Sequence, residues 1–414
     1  MGIIINIDEA LKLRTDYNVL KEPLHAMLTE QQEAWERANP IDMLFTRGTL
    51  DTFQKTFTSS IGFEHAFAET ADFTNGPIFN TEEGFAKTYT SRTFQGSFII
   101  TQQVLEDGDA GAVKDNATKF MTRWHADLVE YAMTAISAGF GVEQTWGSAA
   151  NGGVSRLKLM TADTTDGDIA STTKNPLFSN VHTVVKRDGM TDDQFNAAKQ
   201  SNIFRAAKDT TNTDTNPAIV IGGDDPGQIA KLADFINQVI STMENYRDDN
   251  NKRAGVLGKK TIVAPNDPHL KAALNAAISM DMFKGVPNPA YQIATVETTP
   301  YLLDIPQCAN GIGFFIVDKA YNAANHGPEF TERIPLTLDA DQLKRPKGIV
   351  YDGRQRFDIN VASWRGIAYC YLGTPEASKT GDWNYKTKFT NIIPVDTFVK
   401  PVSVVGTVHT GTGK

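Results

Sequence analysis

Between Ala112 and Ala138 the apolar side chains of Val113, Ala117, Phe120, Met121, Trp124, Leu128, Tyr131, Ala132, Ala135 and Ile136 recur at steps of three and four. That spacing puts them on one face of a single helix. At 1.5 Å per residue such a helix is about 40 Å long, well beyond the usual three turns. Asp109 is placed to cap its start, and Gly139 supplies the stop. A helix this long overruns one small core, so the chain is expected to use it as a strut.

The stretch before it, residues 60–104, has no helical period and is rich in Thr and Phe. In its second half Phe94, Gly96, Phe98 and Ile100 fall on one face, and Lys87, Tyr89, Ser91 and Thr93 on the other. Asn75-Gly76-Pro77 interrupts it. The pattern predicts a long two-stranded ribbon whose tip must rest on something, because an isolated hairpin is marginal in water.

Upstream, Leu24, Met27, Leu28 and Trp35 predict a short amphipathic helix over 20–37, with Pro23 in its first turn and Asn39-Pro40 ending it. Alone it buries too little surface, so it should dock on a larger body or a neighbouring chain. Downstream, 140–216 is rich in Gly, Thr, Asp and Asn and reads as loops with short strands. Helices are predicted after Asp225-Pro226 and Asp267-Pro268, and strands at Thr261–Ala264, Gly313–Val317 and within Ile349–Leu372. Helices alternating with strands indicate a compact lobe over about 217–340, and the fold class is α+β.

The 414 residues carry 40 basic and 49 acidic side chains, a formal charge of −9. Electrostatic wrapping of nucleic acid calls for the opposite sign. Two cysteines, Cys308 and Cys370, cannot build a disulfide framework. No stretch reaches the roughly 20 apolar residues of a membrane helix, and Met1 leads into no secretory pattern, so the chain reads as soluble and made inside the cell.

Catalytic and cofactor motifs fail on spacing. Gly255 to Thr261 resembles a phosphate loop, but Arg253 stands where its first glycine belongs. Gly311-Ile-Gly313 lacks the third glycine of a dinucleotide fingerprint. Asp163, Asp166 and Asp168 have the wrong offsets for a calcium loop. The seven histidines are scattered, with His125 read as a surface or packing residue, and no nucleophile elbow exists. The spacings therefore offer no catalytic, cofactor or metal residues, and the chain is not read as an enzyme.

The order of these parts resembles the major capsid proteins of tailed bacteriophages, with the HK97-type fold, in the branch of Mu-like head subunits. The phrases that carry it are SFIITQQVLEDG before the long helix, LFSNVHT and KQSNIF after it, TIVAPNDPHLKAALNAAIS in the lobe, and FDINVASWRGIAYCYLG near the end. The resemblance implies an N-terminal arm at 1–59, an extended loop at 60–104 and a peripheral domain at 105–216 with a spine helix at 110–139. It further implies an axial domain at 217–340, returning peripheral strands at 341–373 and a C-terminal extension at 374–414.

The function so implied is a head subunit that self-assembles as hexamers and pentamers into an icosahedral or prolate shell around double-stranded DNA. The DNA is held without sequence-specific contact, and the subunit ends in the virion after assembly in the host cytoplasm. With the arm close behind Met1, a separate scaffolding protein is expected, together with a portal protein and cement or decoration proteins. Contacts between subunits are expected from Asn75, Gly76, Pro77, Phe79, Glu82, Glu83, Lys87 and Arg92. Phe120, Trp124, Leu128 and Tyr131 are expected to form the core face of the spine helix. Lys87 is also the candidate for an isopeptide bond like that of some relatives. The competing readings are an encapsulin-like compartment shell, a tail tube or sheath protein, and a soluble hydrolase.

Overall fold

A computed structural model describes residues 17–37, 39–62, 82–101, 103, 110–148, 153–187, 189–206, 219, 226–249, 252–283, 285–308, 313–344 and 347–372. The expectations for Asp109, Asn75-Gly76-Pro77, Phe79, Asp225 and the extension 374–414 lie outside these residues.

The first described element is helix α1 (Tyr17–Glu36), which starts before the predicted position and so places Pro23 inside the helix rather than in its first turn. Asn39 caps a short 3₁₀ turn at Pro40–Met43. Strands β1 (Thr46–Thr49), β2 (Gln54–Gly62), β3 (Glu82–Thr90) and β4 (Arg92–Thr101) precede the long helix α2 (Ala110–Ala138). With 29 residues, α2 runs about 43 Å. Gly139 ends it, where a Cβ would lie 2.9 Å from the Ile136 carbonyl oxygen.

Short elements follow: β5 (Gln144–Ser148), β6 (Gly153–Leu157), β7 (Met160–Thr164), β8 (Lys174–Pro176), α3 (Asp192–Ala197) and β9 (Ile203–Arg205). The lobe then contributes α4 (Pro226–Glu244), β10 (Lys260–Pro265) and α5 (Pro268–Ser279), the last capped by Asp267 as its sequence predicts. A small hairpin of β11 (Met282–Phe283) and β12 (Val286–Pro287) leads to β13 (Ala294–Thr299), β14 (Gly313–Asp318) and α6 (Lys319–Ala324). The last strands are β15 (Glu329–Lys344), β16 (Lys347–Asn360) and β17 (Ile367–Tyr371).

Two sheets organise these elements. The first has the order β1-β15-β16-β4, and the second β13-β10-β14-β17-β9. In the first, residues on the α2 side alternate with exposed ones along β4, as expected where one face is solvated. In the second, β10, β14 and β17 are buried at every position, which requires cover on both faces.

Helix α2 ties the two together. Val113, Ala117 and Met121 pack with Ile100, Ile349, Tyr351 and Leu28 in one apolar cluster. Leu128, Tyr131, Ala132 and Ile136 belong to the main core, which contains the five-stranded sheet. Gly96 and Gly353 face each other across β4 and β16, and their bare backbones admit the Trp124 and Phe120 rings. A Cβ at Gly96 would come within 3.3 Å of Trp124, and one at Gly353 within 3.2 Å of Phe120.

Several expected boundaries move. The ribbon pairs 54–62 with 82–90, whereas 92–101 leaves it at Ser91 to join β16. The expected arm therefore loses 46–49 to the first sheet and 54–59 to the ribbon. The lobe ends before Glu329, because β15 forms a long hairpin with β16 in the first sheet. Strand β17 returns to the lobe between β14 and β9, since its unbroken apolar run suits an interior strand.

Candidate functional site at the root of the ribbon

Where β3 becomes β4, three parts of the chain meet. The inward parity of β3 carries Phe85, Lys87 and Tyr89. Phe85 packs with Ala162 and Val185. Phe57 from β2 lies against Tyr89 at 4.7 Å and against the His326 ring at 4.1 Å. His326 in turn meets Glu329 at 3.0 Å, and Ser59 donates to Asp249 Oδ2 at 2.7 Å. Asp249 also pairs with the buried Arg365 guanidinium at 2.7 Å. The ribbon is thus seated by ring packing from both strands and by a hydrogen bond from β2 to a buried ion pair.

Beside this seat opens a cavity of ≈160 Å³ lined by Lys87, Arg92, Lys158 and Asp358 among others. Asp358 is fully engaged: Arg92 Nε donates to Oδ2 at 3.0 Å, and Tyr131 Oη and the Ile359 amide donate to Oδ1 at 2.7 and 2.8 Å. Burial raises its pKa, and Arg92 opposes the rise. Burial also pushes the Tyr131 phenol upward, with the Asp358 charge adding to it. Lys87 makes no hydrogen bond or ion pair among the described residues. Burial, and next the charge of Lys174, lower its pKa to about 8.

The expected site residues separate accordingly. Glu82 and Glu83 stand at the far end of β3. Lys87 and Arg92 share the cavity, and Arg92 pairs with Asp358 of its own chain, because its register opposite Phe357 sets it beside that residue. Phe120 and Trp124 lie half-buried over the first sheet, with Trp124 Nε1 donating to Gln355 at 3.0 Å, while Leu128 and Tyr131 are buried. His125 is a packing residue: it stacks on Trp35 at 4.3 Å, bonds Gln32, and is held by burial at a pKa of about 4. Through these contacts α1 docks on α2 of the same chain.

Sequence reasoning missed Lys158 and Asp358, which reach the cavity from distant segments. The available signal was a lysine on the inward parity of an otherwise apolar strand face. It also missed the hairpin after α5, where Met280, Met282, Val286 and Tyr291 are 43, 50, 64 and 45% exposed.

The phosphate-loop candidate is a structural turn. Lys260 is buried and donates to the Val256 and Gly258 carbonyls and to Asp318. Asp163 is likewise internal, accepting from Thr161, Asn175, the Thr183 amide and His182. Among the described residues no group of three or more His, Cys, Asp or Glu could hold a metal ion, and no helix is long and apolar enough to cross a membrane.

No protein-family model and no curated protein matches the sequence. Among solved structures, the chain is similar to one titled Mycobacterium phage Patience, with a TM-score of 0.43 and 12% identity over 86% of this chain and 88% of that one. The capsid of Myoviridae phage XM1 gives 0.40 and 11% over 80% and 90%. A virus-like particle from Pyrococcus furiosus gives 0.39 and 10% over 84% and 98%.

Proposed function

We propose that this chain is the shell-forming subunit of a tailed-phage head with the HK97-type fold. The observation that carries the reading is the ribbon. Strands β2 and β3 pair only with each other among the described residues, and from Asp51 to Thr56 every residue is exposed. The body covers one face of this ribbon through Phe57, Phe85 and Tyr89, but a two-stranded ribbon with no further strand offsets little of its conformational entropy in water, and its free edges invite pairing. Such a limb is completed by a neighbouring copy. The long helix that joins two sheets gives each subunit the stiffness a tiled wall needs, and the exposed apolar hairpin at Met282 and Val286 offers further surface for a neighbour to cover.

In this reading hexamers and pentamers of the chain enclose double-stranded DNA, with scaffolding, portal and decoration proteins as separate partners. The formal charge of −9 suits a wall that does not adhere to phosphates. Electron microscopy of the purified protein across a concentration series tests it. Closed angular shells above a threshold concentration are expected; helical tubes would indicate a tail protein instead, and small particles at every concentration would sink the proposal. Replacing residues 64–80 by a short Gly-Ser turn leaves the β2–β3 ladder and Phe85 in place. That variant should stay folded yet form no closed shells.

A further inference from the structure

The cavity at the ribbon root gathers more positive charge than the fold uses. Lys87, Arg92 and Lys158 line it against one carboxylate, Asp358, and that carboxylate is already satisfied by Arg92, Tyr131 and a backbone amide. Lys174 lies close enough to Lys87 to add repulsion. Neither Lys87 nor Lys158 has a partner among the described residues. Asp358 attracts Lys87 without bonding it, so two cations around this recess, Lys87 and the exposed Lys158, have no bonded carboxylate among the described residues, an arrangement that suits an anion. The lining is mainly polar, with little apolar surface from Leu157 and Leu159, which suits the carboxylate end of a side chain.

We propose that this cavity is a socket for the carboxylate of an acidic side chain presented by a second copy of this chain, received by Lys87 and Lys158. The proposal rests on the shell-forming reading for the identity of the partner, and on the cavity itself for the chemistry. Because Lys87 belongs to the ribbon and Lys158 to the body, an incoming carboxylate would bridge the two and fix the ribbon as the neighbour docks.

Two measurements test it. On unassembled wild-type protein, the reductive methylation rate of Lys87 is followed by mass spectrometry in glutarate, phosphate or chloride at equal ionic strength. Glutarate should slow labelling several-fold relative to chloride, and at least as strongly as phosphate does. Equal rates in glutarate and chloride, or stronger protection by phosphate, overturn the socket. In the second measurement, Lys87→Gln should raise the threshold concentration for shells by about tenfold, the equivalent of one lost ion pair, and Lys87→Arg should restore it. A Lys87→Gln threshold equal to wild type overturns the role of the second copy. Wild-type protein that forms no shells at all overturns the shell reading, while the glutarate comparison still decides the chemistry of the socket.

Discussion

Lys87 can be made to report its own cost. Its pKa falls from 10.5 to about 8 on folding, first through burial and then through Lys174. The unfolded chain therefore binds the Lys87 proton more tightly than the folded one, and stability must rise as pH climbs from 8 toward 10.5. Below pH 8 the penalty is complete, at about 3 kcal/mol if solvent did nothing; screening at the open side of the cavity reduces this to about 1–2 kcal/mol. Lys87→Met removes the charge and keeps most of the side-chain volume. The variant should be more stable than wild type at pH 7, and the gap should narrow by about half of that penalty, roughly 0.5–1 kcal/mol, by pH 9.5. Urea unfolding of the unassembled protein at the two pH values gives the number directly, since effects of other titrating groups cancel in the difference. A variant that is less stable than wild type by the same amount at both pH values would refute the claim that the ammonium is held at a cost.

Two further substitutions test the packing and the buried charges. Asp163→Asn leaves His182 without its carboxylate, although both ring nitrogens point at acceptors, Nδ1 at Asp163 and Nε2 at the Leu177 carbonyl and Asn202 Oδ1. It should cost about 3–5 kcal/mol in urea unfolding at pH 7. Burial alone would raise the Asp163 pKa, but His182, Thr161 and Asn175 together lower it, so the loss should shrink as pH falls through the carboxylate range. Gly353→Val drives a side chain into Phe120, 3.2 Å from the first added carbon, and should cost about 1–3 kcal/mol by thermal or urea unfolding.

The helices were legible because their signals are local. The three-four spacing of α2, the Asp267 cap and the Gly139 stop each lie within a few residues of what they determine. The strands β10, β14, β16 and β17 were legible as apolar or alternating runs, but their neighbours were not. Nothing in the Thr/Phe-rich stretch marks Ser91 as the point where the chain passes from ribbon to sheet. That point is set by the pairing of Arg92 to Thr101 with residues far downstream in β16. Strand β15 went unread because its exposed side is polar and Pro335 interrupts it. The buried ion pairs are less legible still: Lys260–Asp318 and Arg365–Asp249 join segments 58 and 116 residues apart, and a lone charged residue in sequence shows no sign of its partner. Lys87 stood out only as an anomaly, a cation in register with Phe85 and Tyr89.

That anomaly bears on how assembly could be timed. Seated in the isolated chain, the ribbon root satisfies every oxygen of Asp358 but leaves the Lys87 ammonium largely buried, with burial and Lys174 outweighing the pull of Asp358. A fold optimised for the monomer alone would place an apolar residue there, since replacing an unpaired buried charge by a hydrophobe of similar volume relieves its desolvation. Holding the cation instead makes the seated ribbon less favourable until an anion arrives. In the proposed socket a neighbour's carboxylate would change the same side chain from a destabilising to a stabilising element, coupling the energy of ribbon seating to docking. By linkage, a neighbour's anion that stabilises the seated ribbon must itself bind the seated form more tightly by an equal factor. The Lys87→Met variant separates the two roles: greater stability of the single chain should come with a weaker tendency to form shells.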